Sequence, residues 1–278
     1  PAQADRAPLQ VPAALREAFE ARFPEVVENR PELVARHCTE AGLIERAAAL
    51  WGKAGQRSIA RSALVEATVQ LTRALSQIAT LPGTPALRGD QIKLQVALVN
   101  ALMHTKGHAA PETIASLDRA RAFIEQAESL GESPEDPLLL FSVLYGFWVA
   151  NYIGFNSDAL LDLATECLAL AEKRGTMVPL MLGHRLMGTS LMCTGALAES
   201  RAHYDQAIAI YEPAEHRALA TRFGQDMRVA ALSYRSWALW LLGFPEAAGR
   251  DAEQALKEAR EIGQATTFMY ALFHTSFT

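Results

Sequence analysis

The stretch YEPAEHRALATRFGQDMR, residues 211–228, gathers Glu212, Glu215, His216, Arg217, Arg222, Gln225, Asp226 and Arg228 in a chain otherwise dominated by Ala and Leu at helical spacing. Carboxylates, an imidazole and guanidiniums at this density could move protons or hold an anion. Local structure offers a competing account. Pro213 can start a short helix and Gly224 can end it, Leu219 and Phe223 form an apolar stripe turned inward, and Asp226 is placed to cap a helix beginning near Met227. Arg217, Arg222 and Gln225 are then left as residues able to touch a partner or an anionic ligand from a long connection.

Other reactive side chains are more scattered. His104 and His108 are four apart, a spacing that can set two metal ligands on one helix face, yet Gly107 interrupts that helix and no third ligand is near in sequence. His37 and Cys38 diverge by about 100° on a helix. His184, His203 and His274 stand singly and read as packed or surface histidines. HExxH, GxSxG, SxxK and the phosphate-cradling GxxxxGK[ST] are all missing from the sequence. No catalytic residue, metal ligand or cofactor is therefore expected.

Composition narrows the elements that position these residues. The 278 residues, half of them hydrophobic, suffice for two ordinary domains or one elongated repeat array. A net charge of −5 supplies no basic surface for phosphate neutralisation, so direct nucleic-acid binding is not expected. Cys38, Cys167 and Cys193 are far apart and form no CxxC pair, which reads as reduced thiols in the cytoplasm. The N-terminus lacks the pattern of a signal peptide and has Pro1 in place of an initiator Met, as expected of a processed chain or a piece of a longer one. Residues 137–157 run 21 positions without a charge. Ser142, Asn151, Asn156 and two glycines interrupt that run and no Lys/Arg cluster flanks it, so a buried helix is expected instead of a membrane span.

An internal period organises the chain. Gly195 is followed by small residues five and twelve positions later, Ser200 and Ala207, and Gly243 by Ala248 and Ala255. Ser62 with Ala67 and Ala74 fits the same grid, as does Gly154 with Ala159. Pro85, Pro111, Pro137 and Pro245 sit where first helical turns should start, and Gly131, Gly175 and Gly263 where helices should end. No strand pattern of useful length occurs.

This grid resembles the tetratricopeptide repeat (TPR), in which small residues let antiparallel helices approach closely. Trp51 and Gly55, ahead of Ala67, Leu71 and Ala74, take its positions, as do Gly188, Leu191, Gly195, Tyr204 and Ala207. The corners at Ser62, Gly107, Gly154, Gly195 and Gly243 are 45, 47, 41 and 48 residues apart, against about 34 in a regular repeat. Gly42 precedes Ser62 by only 20 residues, so one helix, about 44–60, is shared by two half-repeats. The resemblance implies an all-α fold, a TPR-like helical-repeat solenoid of about a dozen helices in a right-handed α-α superhelix.

In the same frame the concave face takes Phe141, Leu144, Trp148, Asn151 and Tyr152 from one repeat and Leu182, Arg185, Thr189, Met192 and Cys193 from the next. Ala230, Ser233, Trp237, Trp240 and Leu241 follow. The binding candidates are therefore Trp148, Asn151, Tyr152, Arg185, Met192, Trp237 and Trp240, with Arg217, Arg222 and Gln225 from the connector. Aromatics around a lone Arg suit a binding surface, while helix faces rich in Trp equally suit a core. Both alternatives stand at this point.

Longer phrases, such as RPELVARHCTEAGLIERAAALWGKAGQRSIARSALVEATVQLTRAL, LPGTPALRGDQIKLQVAL, VLYGFWVANYIGF and ALWLLGFPEAA, are similar to the C-terminal region of large bacterial signalling proteins. Those proteins join an adenylate/guanylate cyclase domain to a signal-transduction ATPase module and a helical tail, and ATPase-type transcriptional regulators share the tail. The resemblance implies residues 1–30 as a linker or last helix of a preceding module and 31–278 as a TPR-like domain cut within a repeat. It implies a non-enzymatic regulatory segment that binds a protein, a peptide, another domain of its parent chain or a small ligand, with homo-oligomerisation open. A sensor domain of a transcriptional regulator, or part of a cyclase enzyme, is the alternative.

Overall fold

The computed structural model describes residues 28–132 and 136–278. The expected linker or last helix of a preceding module, residues 1–30, lies outside them but for residues 28–30. The chain divides into two compact units, Pro1–Leu139 and Leu140–Thr278, and the described residues contain helices and turns without a strand.

In the first unit α1 (Pro31–Glu40), α2 (Ile44–Ala60), α3 (Leu64–Ile78), α4 (Pro85–Thr105) and α5 (Pro111–Ser129) each pack on the next. Helix α2 contacts both α1 and α3, as a helix shared by two half-repeats must. Gly55 makes the α2–α3 approach possible, since a Cβ there would come within 2.6 Å of the Leu71 side chain. Trp51, only 5% exposed, anchors the cluster and donates its Nε1–H to Thr39 Oγ1 at 3.1 Å. Gln95 joins α4 to α5 through a buried bond to Ser116 Oγ at 2.6 Å.

The second unit begins with α6 (Leu139–Ile153), α7 (Ser157–Arg174), α8 (Met177–Cys193) and α9 (Leu197–Ile210). A connector follows, made of α10 (Pro213–His216), a 3-10 turn (Arg217–Leu219) and α11 (Ala220–Phe223). Then come α12 (Met227–Leu241), α13 (Pro245–Ile262) and α14 (Ala265–Thr275). Helix α12 is the hub: it packs on α8, α9, α13 and α14. Arg235 ties it to α13 through Asp251 (2.6 and 2.9 Å) and to α9 through Asp205 (2.6 Å).

The corners explain the period. Gly42, Ser62, Gly195 and Gly243 all have positive φ, between 60° and 86°. At each, the following N–H reaches back to the carbonyl five residues earlier, for example Ala196 to Leu191 at 3.0 Å and Phe244 to Leu239 at 2.9 Å. This is the left-handed helix stop that satisfies orphan carbonyls. Five residues beyond these corners stand Ala47, Ala67, Ser200 and Ala248, and twelve beyond stand Ala54, Ala74, Ala207 and Ala255, all buried. Small side chains recur there because helices cross there.

Two punctuation marks differ from expectation. The corner assigned to Gly154 belongs to Phe155, whose φ is 54° and whose ring is 92% exposed. That moves the grid by one residue, so Leu160 and Cys167 fill the crossing positions instead of Ala159. Pro137 does not open its helix; α6 starts two residues later at Leu139. Pro85, Pro111 and Pro245 do occupy first turns, and Gly131, Gly175 and Gly263 have positive φ after helices.

Candidate binding site around Arg185

Arg185 lies in the middle of α8, on the side that faces α12, and is 2% exposed. A guanidinium is charged at any ordinary pH, so its burial calls for a counter-ion or a full set of acceptors. Its neighbours are neutral. With its amide oxygen turned to the guanidinium, Gln225 accepts from Arg185 Nη2 at 2.7 Å and Nη1 at 3.2 Å, and from the Tyr145 hydroxyl at 2.9 Å. The opposite orientation would set NH2 against a cation. Met227 Sδ lies 3.5 Å from Nη1, and the guanidinium carbon stands 5.5 Å from the Tyr145 ring centroid. Nε is buried without a partner.

The surrounding phenols stay protonated. Burial pushes the Tyr270 hydroxyl up to about 12 although Arg185 opposes it, and holds Tyr204 and Tyr234 well above the ordinary tyrosine value. Burial alone would lower the Arg185 pKa, and Tyr145 and Tyr270 more than reverse that effect. Asp226 is the acidic residue closest in sequence to Gln225, but its oxygens are engaged elsewhere. They cap α12 at the N–H groups of Arg228 and Val229, both at 3.0 Å, and accept from the Tyr211 hydroxyl at 2.5 Å. Among the described residues no carboxylate forms an ion pair with Arg185.

A chain of ring contacts runs away from this charge. Tyr145 meets Phe223 edge-on at 5.3 Å and Trp148 at 6.5 Å, and Trp148 stacks on Tyr152 at 5.4 Å. Tyr152 and Tyr234 bring their hydroxyls to 2.9 Å. Tyr234 then touches Tyr204, Trp237, Tyr270 and His274. His274 Nδ1 lies 2.9 Å from the Tyr270 carbonyl, which fixes the ring proton there and leaves Nε2 to accept from the Tyr234 hydroxyl at 3.1 Å. Burial, aided by the Arg185 charge, keeps this imidazole neutral.

The anticipated residues separate into groups. Arg185, Gln225, Trp148, Tyr152 and Trp237 belong to this network. Trp148 is 3% exposed and donates to Ser190 Oγ at 2.9 Å, and Trp237 donates to the His274 carbonyl. Asn151 instead closes the α6 end, donating to the Phe147 carbonyl at 2.9 Å and accepting from Asn156. Met192 is half-buried, while Trp240 is 49% and Leu241 63% exposed. Phe141, Leu144, Leu182, Thr189, Ala230 and Ser233 are buried. Those positions of the repeat frame are core.

The connector contributes to the same centre. Phe223 is 2% exposed and its carbonyl accepts from the Gln225 amide nitrogen at 2.8 Å. Leu219, expected to turn inward with it, is only half-buried, because a 3-10 turn intervenes and Ala220 takes the inner position. Arg222 donates to Ser142 Oγ at 3.1 Å. Arg217 is exposed and lines a cleft of about 280 Å³ with Tyr211, Arg228 and Lys257. A second cleft, about 510 Å³, lies over Trp51 in the first unit.

Tyr145, Tyr204, Tyr234, Tyr270 and His274 were not anticipated as one network. The sequence points only to Tyr204, as a repeat residue, and to His274, as a packed or surface histidine. Their contacts join residues as far as 82 positions apart, so no local pattern could announce them. His184 and His203, which stand singly in the sequence, meet Nδ1 to Nδ1 at 3.0 Å. Among the described residues no group of three His, Cys, Asp or Glu side chains could hold a metal, and no helix is long and apolar enough to cross a membrane.

Comparison with known proteins agrees with this architecture. No protein-family model matches the chain. An uncharacterized protein of Rhizobium meliloti (strain 1021) is 23% identical over 247 residues, covering 86% of this chain and 22% of its own length. The crystal structure of a Signal Transduction ATPase with Numerous Domains (STAND) protein with a tetratricopeptide repeat sensor, from Pyrococcus horikoshii, superposes with a TM-score of 0.56. It is 16% identical, and the match covers 95% of this chain and 37% of that one. The fold is an all-α, TPR-like helical repeat. The chain spans well under half the length of either relative.

Proposed function

We propose that this chain is a non-catalytic regulatory segment of a larger signalling protein, binding a ligand or partner through its second unit and thereby biasing an attached ATPase or nucleotide cyclase. Arg185 carries this reading. A buried cation among neutral phenols cannot accept a proton from a substrate, but it can recognise an anionic or strongly polar group. The Pyrococcus protein, described as having a repeat sensor beside an ATPase, supports the same placement. Reduced thiols and the sequence phrases favour a bacterial, cytoplasmic parent.

Trp240, Leu241 and Phe244 favour a second reading in which another protein or domain docks on the surface. They lie close in sequence, and each is about half exposed or more, at 49%, 63% and 51%. Aromatic surface of this kind commonly anchors interfaces.

Nucleotide turnover by the parent protein, with and without residues 31–278, tests the proposal. Deletion is expected to change the regulated rate and leave nucleotide binding intact. An unchanged rate, or turnover by the isolated chain that survives repurification, would overturn it.

A further inference from the structure

Arg185 departs from what a repeat core needs. The crossing positions of these helices take Ala, Ser, Cys or Leu, and neighbouring core positions take Leu, Met and aromatics. A buried cation carries a desolvation penalty that neutral acceptors offset only in part. The acceptors here are one amide oxygen, one thioether and the phenol groups. Nε–H has nothing, and the tyrosines that could have served as internal anions are held protonated by burial.

We infer, building on the regulatory role proposed above, that Arg185 is the anion-recognition residue of a site for a small organic monocarboxylate with an apolar or aromatic body. One fixed positive charge matches one carboxylate. The guanidinium still has an unused N–H, and the phenol of Tyr270 supplies an O–H donor for the second oxygen. The half-buried Tyr152, Trp237 and Tyr270 offer ring edges to the ligand body. A phosphate, carrying more charge, would require further cations, and among the described residues no second cation contacts Arg185.

Entry is possible because the wall is not uniformly sealed. Tyr145, Tyr152, Trp237 and Tyr270 are half-buried, whereas Arg185, Tyr204 and Tyr234 are buried. Tyr270 and His274 stand on α14, which packs on α12 and α13. A carboxylate reaching Nε would press on Tyr270 and so on α14. Occupancy is thereby coupled to the last described helix.

The test is thermal denaturation of the whole chain in benzoate, acetate, neutral benzamide, or chloride at matched ionic strength. Binding to the native state raises Tm with ligand concentration. Benzoate should raise Tm above chloride, acetate should do so more weakly, and benzamide should not. Arg185→Met, of similar volume and without charge, should lose the benzoate response. Gln225→Glu should lose it as well, because its carboxylate would stand at the 2.7 Å position beside Nη2. If Arg185→Met does not fold, Gln225→Glu and the wild-type series decide. A benzoate effect equal to that of chloride in wild type, or kept by the variants that fold, would overturn the site. Failure here leaves the regulatory role to its own deletion test, since that role could also be exercised through the Trp240 surface.

Discussion

Gly188 lies against the ring of Tyr204 so closely that a Cβ on it would come within 2.9 Å of Cε1 and 3.0 Å of Cδ1. This contact sets the distance between α8 and α9. Tyr204 is wholly buried, hydrogen-bonds Thr189 at 2.9 Å and stacks parallel on Tyr234 at 6.3 Å. The same helix carries Arg185 one turn earlier, so the close approach helps to fix where the buried charge sits.

Replacing Gly188 by Ala should therefore destabilise the fold by roughly 1–3 kcal/mol, the usual range for overpacking a core. Gly249 makes the contrast, because a Cβ there meets nothing within 4 Å. Gly249→Ala should stabilise by up to about 1 kcal/mol through helix propensity alone. Urea unfolding of the two variants measures both signs.

Asp226 joins three elements: it caps α12, accepts from Tyr211, and its N–H donates to Thr267 Oγ1 on α14 at 3.0 Å. Asp226→Ala should cost about 1–2 kcal/mol for the cap. A further loss is expected because the Tyr211 hydroxyl loses its acceptor. In Asp226→Ala/Tyr211→Phe the second loss should be smaller. A double-mutant cycle by urea unfolding separates the two contributions.

Acidification should weaken the second unit. Burial first, and then the facing histidine, lowers the pKa of His184, while burial lowers those of His203 and His274. For a folded pKa below the unfolded value, the unfolded chain binds more protons between the two. The stability is fully present above about pH 6.5 and is lost as pH falls from there through the folded values. His184→Gln should flatten this dependence, as read from unfolding free energies on either side of that pH. An equal slope in wild type and variant would contradict the assignment.

Thiol reactivity should distinguish the cysteines. Cys193 is exposed, whereas Cys38 and Cys167 are buried and burial pushes the Cys167 thiol up to about 12. Partial burial raises the Cys193 thiol as well, so in the native protein a thiol reagent should modify Cys193 first, though slowly, and Cys167 only after unfolding. Peptide mapping of labelled protein checks this order.

Fold information was dense where the chain is local. Glycine corners and the small residues five and twelve places later define the helix crossings, because each crossing depends on a short stretch of covalent structure. The exception is instructive: Gly154 precedes Phe155, and only the backbone reveals that Phe155 takes the left-handed turn. Arg185 and Gln225 were recognisable as polar residues out of place. That the connector delivers Gln225 to Arg185, and that Tyr145, Tyr234, Tyr270 and His274 close around them, depends on packing between distant segments. Asn151 reads from the sequence as a ligand-facing residue, but its side chain turns back to the Phe147 carbonyl of its own helix.

The unpartnered Arg185 Nε–H is proposed to await an anion, and its own proton resonance tests this most directly. In a nitrogen–proton correlation spectrum, assigned by comparison with Arg185→Met, benzoate should shift that resonance downfield to saturation, and benzamide should leave it in place. An Arg185 Nε–H signal unmoved by benzoate would contradict the account.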